Sequence, residues 1–90
     1  MLTLTPPALP RDRDGFEYGT AAQLAALLDS PERRITAGTI RKWAWRSRRP
    51  GDRLHGLMPT VHIPGARTGN SYHKLRDAAH VAAMIEAGIH

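Results

Sequence analysis

The side chains best suited to chemistry are concentrated between residues 31 and 53. Arg33, Arg34, Arg41, Lys42, Arg46, Arg48, Arg49 and Arg53 stand there against only Glu32 and Asp52. The whole chain of 90 residues carries a net charge of +5, and residues 1–30 are themselves acidic, so the positive excess belongs to this middle segment. Arginine dominates it. A guanidinium is a planar fork that meets a phosphate, or the O6 and N7 atoms of guanine, through two parallel hydrogen bonds. A clustered excess of this kind points to a polyanionic partner, nucleic acid first and an anionic membrane surface second.

Other chemistry finds little support. His55, His62, His73, His80 and His90 show no metal-ligand spacing of the HExxH kind and have no cysteine beside them. The absence of cysteine also removes thiolate nucleophiles and disulfides, and suits a reducing compartment. Ser30, Ser47 and Ser71 lack a visible base and orienting acid, and no glycine-rich phosphate loop is followed by a lysine. The expectation is a protein that is not an enzyme and uses no cofactor or metal. The opening MLTLTPPALP lacks the basic region of a secretory leader, and no uncharged apolar run approaches the roughly 18 residues of a membrane span. A cytoplasmic, nucleoid-associated location in a bacterium follows as the expectation.

The elements that must position these arginines fit a single domain. Residues 1–17, with three prolines and the alternating charges of RDRD, read as a flexible N-terminal arm before a domain spanning 18–90. Thr20 followed by Gln23 forms a capping box for a helix over 21–29, whose Ala21, Leu24, Leu27 and Leu28 share a face. Ser30-Pro31 ends it, and PERR makes a polar connection. Thr36 is the next N-cap, for a helix reaching Ser47 or Arg48 and stopped by Pro50-Gly51. At about 100° per residue, Ile40, Trp43, Ala44 and Ser47 line its apolar face and the cations its opposite face. LMPTVHI and NSYHK then alternate as two strands of a hairpin turning at PGARTG. LRDAAHVAAMIEAG closes the chain as a helix burying Ala78, Val81, Ala82 and Ile85, with Gly88 as its stop.

The order helix, basic helix, hairpin, helix is the layout of a winged helix-turn-helix: mainly α with a small two-stranded wing. A helix of this width fits the major groove of duplex DNA, and a basic hairpin can lie on the adjacent backbone or in the minor groove. TAAQLAALL, ITAGTIRKWAWR and GLMPTV…GARTGNSYHKLRDA, in this order over about residues 18–87, resemble the MerR-type winged helix-turn-helix and its short excisionase-like relatives. Two departures stand out. The connection between Leu28 and Ile35 is about five residues longer than the family's compact turn, which implies either a different docking of the first two helices or a phosphate-contacting loop at PERR, and Tyr72 and Asp77 stand one residue further apart than the family pattern.

The resemblance implies that the helix from Thr36 enters the major groove with Gly38, Thr39, Arg41, Lys42 and Trp45 nearest the DNA. It also implies that Arg46, Arg48 and Arg49 extend the basic surface, Arg67 marks the wing tip, and His73 and Lys74 lie on the wing's return strand. The function this implies is sequence-specific binding of double-stranded DNA by a small transcriptional regulator, with self-association on DNA as a dimer or head-to-tail array and RNA polymerase as a further partner. Longer relatives carry an effector pocket after the winged domain, so a chain ending at His90 is expected to lack effector sensing. An excisionase-like factor that bends DNA for an integrase is the alternative within the family. A protein-interaction module using Met84 and Ile89 of the last helix is the alternative outside it. About 200° of helix separates the two tryptophans, which makes Trp43 the core anchor and leaves Trp45 among the cations, against DNA, under an arginine or at the base of the wing.

Overall fold

A computed structural model describes residues 9–65 and 71–89 of the chain. Three helices, α1 (Ala21–Leu28), α2 (Ala37–Ser47) and α3 (Leu75–Glu86), are joined by a two-stranded antiparallel sheet of β1 (Tyr18–Gly19) and β2 (His73–Lys74). The molecule is small, mostly helical, and has no helix among the described residues long and apolar enough to cross a membrane.

Both expected helix starts are present. At α1, Thr20 Oγ1 accepts from the Gln23 amide at 3.3 Å and Gln23 Oε1 accepts from the Thr20 amide at 2.9 Å, the reciprocal pair that satisfies two otherwise orphaned donors. At α2, Thr36 Oγ1 accepts from the Thr39 amide at 3.2 Å. The α2 core face is Ile40, Trp43, Ala44 and Ser47, as the periodicity predicts. In α1 the buried pair is Leu24 and Ala25, while Leu27 is 47% exposed, contrary to expectation. The reason is rotational: Leu24, Ala25 and Leu28 centre the inward face, and Leu27 falls to its edge. In α3, Ala78, Val81 and Ala82 are fully buried, and their small side chains let its backbone come close to the core formed by Leu24, Ile35, Ile40, Trp43, Leu54 and Met58.

The connection between α1 and α2 is folded back on the protein. Ser30 and Arg33 exchange backbone hydrogen bonds, Asp29 Oδ1 accepts from the Ile35 amide at 2.7 Å, and Arg33 Nη1 reaches Glu86 Oε2 and the Ala82 carbonyl on the last turns of α3. Arg33 therefore fastens the inserted turn to α3, where the orphaned carbonyls of a helix end favour a cation.

Two expectations need correction. Among the described residues, the strands LMPTVHI and NSYHK share the bridge Thr60↔His73 and the bond from Val61 N to Tyr72 O at 2.7 Å, most of the expected turn PGARTG and Asn70 lying outside those residues; the main partner of β2 is β1, in the register Tyr18↔Lys74 and Gly19↔His73. Burial of Leu54 and Met58 directs residues 48–58 into a series of turns, and Pro59 has no amide to give a ladder. The second correction concerns residues 9–17, read as part of a flexible arm. They form a closed turn in which Asp12 Oδ1 accepts from the Asp14 and Phe16 amides, Gly15 takes φ 87°, and Tyr18 N donates to the Pro10 carbonyl. Phe16 lies beneath Lys74 Nζ and Arg76 Cζ, at 4.4 and 4.8 Å, and Tyr18 meets Tyr72 edge to face.

Candidate nucleic-acid interface

The outward side of α2 is built by the same rotation that buries its core face. With Ile40, Trp43, Ala44 and Ser47 turned inward, Gly38, Arg41, Lys42 and Trp45 occupy the opposite face, and Arg48 and Arg49 continue it past the helix end; all six are exposed. Trp45 is at the centre of this stripe and 49% exposed. The Arg49 guanidinium lies over its ring at 4.4 Å, a cation–π contact, so the tryptophan supports an arginine.

Charge pairing divides the protein's cations into two groups. Arg11, Arg33, Arg34, Arg46 and Lys74 each have a carboxylate within 4.0 Å. Arg41, Lys42, Arg48 and Arg49 have none among the described residues, and neither have Arg13, Arg53 and Arg76, which stand apart from this stripe in sequence. Asp52 is the only acidic residue between Glu32 and Asp77, and both of its oxygens sit 3.1 Å from Arg46 Nε. This hydrogen bond, reinforced by the Leu54 amide, holds the Asp52 carboxyl below the usual carboxylate range.

A cleft of about 480 Å³ adjoins the stripe. Its walls are Thr20, Ala21 and Ala22 at the start of α1, Arg41, Ala44 and Arg48 of α2, and Ser71 and His73 at β2. No carboxylate lines it, two guanidinium groups flank it, and the positive end of α1 opens onto it, so the cleft favours anionic groups.

The residues expected at the site are therefore only partly brought together. Gly38, Arg41, Lys42, Trp45, Arg48 and Arg49 share one surface. Thr36 and Thr39 stand at its start, their hydroxyls 3.1 Å apart, engaged in capping the helix. Arg46 does not join them: its side chain is only 18% exposed and is held by Asp52. His73 is 3% exposed, with Nδ1 donating to the Pro59 carbonyl at 3.2 Å, so it forms an inner wall of the cleft rather than part of the outer surface. Lys74 is turned to the N-terminal turn, near Asp12 and over Phe16. Arg67 lies outside the described residues. Sequence reasoning missed Ser71 and the first turn of α1. The Thr20 capping box marked a positive helix end, but only the tertiary arrangement sets that end beside Arg41 and Arg48.

No family model, curated protein or solved structure matches the chain.

Proposed function

We propose that the protein is a sequence-specific double-stranded DNA-binding protein of the winged helix-turn-helix kind, acting as a small transcriptional regulator. In this reading α2 enters the major groove, and the segment over residues 58–74 acts as the wing on the adjacent backbone or minor groove. One observation carries it: Arg41 and Lys42 on the outer face of α2, and Arg48 and Arg49 just past its end, form one exposed surface with no carboxylate partner among the described residues, while Arg46 of the same helix is neutralised by Asp52. A solvated charged face is ordinarily laced with opposite charges, because they relieve repulsion along the helix. A face of one sign is suited to a polyanion whose counterions it can displace.

The test is binding to random-sequence and selected duplexes across a salt series. If three or four of these cations meet phosphates, log K falls against log salt with a slope of about −3 to −4, and the double variant Arg41→Ala, Lys42→Ala reduces the slope by about 2. The circular dichroism of that variant stays unchanged, since both side chains are exposed. Absence of duplex binding by the unmodified protein, or binding insensitive to salt, would refute the proposal.

A further inference from the structure

We propose that Trp45 and Arg49 form a guanine-reading pair, in which Trp45 is the positioning residue and Arg49 the residue that touches the base. This rests on the DNA-binding reading above and identifies a base that the surface selects. Trp45 is the one large apolar side chain on the cationic stripe of α2, and its 49% exposure has no counterpart in the core. Arg49 covers its ring at 4.4 Å. A guanidinium held over a ring by cation–π attraction does not use its N–H donors on a hydrogen-bond acceptor. Those donors have no hydrogen-bond or ion-pair partner among the described residues, and the nearby Asp52 is hydrogen-bonded to Arg46 instead. An arginine held in place by a ring, with its fork of donors uncommitted, can meet two coplanar acceptors, and guanine presents O6 and N7 in that arrangement in the major groove. A phosphate contact would need only the charge, which an unstacked arginine supplies equally well. The stack also restricts a flexible side chain before binding, which reduces the entropy lost on contact.

The experiment uses the full chain and a duplex recovered by selection from a random pool. Each guanine of that duplex is replaced in turn by 7-deazaguanine, which lacks the N7 acceptor, and affinities are measured for the unmodified protein, Arg49→Ala, Trp45→Ala and Trp45→Phe. The expected result is one guanine whose replacement weakens the unmodified protein about fivefold or more. That penalty disappears in Arg49→Ala, shrinks in Trp45→Ala and is largely retained in Trp45→Phe. A penalty that persists in Arg49→Ala, or an Arg49→Ala loss equal for every duplex, would overturn the pair as a base reader while leaving DNA binding intact. Failure of the unmodified protein to bind any duplex would instead remove the functional reading on which the pair rests. Helical content measured for each variant separates these outcomes from unfolding.

Discussion

Replacing Gly38 by alanine should change stability and DNA affinity in opposite directions. Gly38 is the second residue of α2 and does not have positive φ. A Cβ built there meets only Thr36 Oγ1, at 3.6 Å, an ordinary van der Waals contact. Nothing inside the protein therefore requires glycine. Alanine lowers the entropy of the unfolded chain and favours the helix, which stabilises by about 0.5–1 kcal/mol. For a domain of this size that corresponds to a melting temperature higher by about 2–8 °C, measured by calorimetry. The same methyl group projects from the first turn on the face proposed to meet DNA. If that turn is packed against the duplex as closely as interfaces generally are, an extra carbon costs about 1 kcal/mol or more, roughly a fivefold loss of affinity by fluorescence anisotropy. A lower melting temperature would refute the free space assigned to the residue. A higher one with unchanged affinity would refute contact between the first turn of α2 and DNA.

Two further predictions concern how α2 is held. Ser47 is buried, and its Oγ accepts from the Met58 amide at 2.9 Å, so Ser47→Ala leaves that amide without its acceptor and should cost about 1–3 kcal/mol in chemical denaturation; an unchanged midpoint would mean the amide had found another partner. Asp52 has a folded-state pKa below its unfolded value, so its contribution to stability is present above the ordinary aspartate pKa of about 3.9 and is lost as pH falls through the folded value. In an NMR titration, Arg46→Ala should raise the Asp52 midpoint toward the ordinary value, and an unmoved midpoint would assign the shift to the Leu54 amide instead.

What was legible in the sequence is what is decided locally. Thr20 with Gln23, Thr36, and the spacing of Ile40, Trp43, Ala44 and Ser47 act within one or two turns, and the helices follow them. Strand pairing is decided at a distance. His73 has Gly19 on one side and Thr60 on the other, and the alternation of LMPTVHI carries no information about that competition. The turn at Asp12 was readable in principle, because an aspartate followed three residues later by glycine favours this backbone, but its prolines suggested a loose arm. The candidate site was legible as a helix face and illegible in its pairing. Arg46 and Asp52 meet only because the turn at Pro50-Gly51 reverses the chain, and the burial of His73 depends on Pro59 lying beside it.

That pairing gives Arg46 a role in the surface it does not join. In this protein the stretch between Glu32 and Asp77 contains one carboxylate, and a free Asp52 beside Arg49 would compete with any anionic or acceptor-bearing partner for that guanidinium. Held on Arg46, and hydrogen-bonded to the Leu54 amide, Asp52 stabilises the turn that ends α2 and is withheld from the exposed arginines. Trp45 solves the complementary problem. On a helix face, residues four apart are neighbours, and like charges in those places repel by a few tenths of a kcal/mol per pair. Trp45 is one turn of α2 from Arg41, so an aromatic ring stands where a cation would oppose it, and Arg49, past the helix end, takes the same ring as a partner at 4.4 Å. The stripe thus remains positive while no cation stands one helical turn after Arg41. An arrangement that tolerates unpaired charge at this density, and at the same time removes the one acid able to quench it, is suited to a surface whose opposite charge comes from a partner.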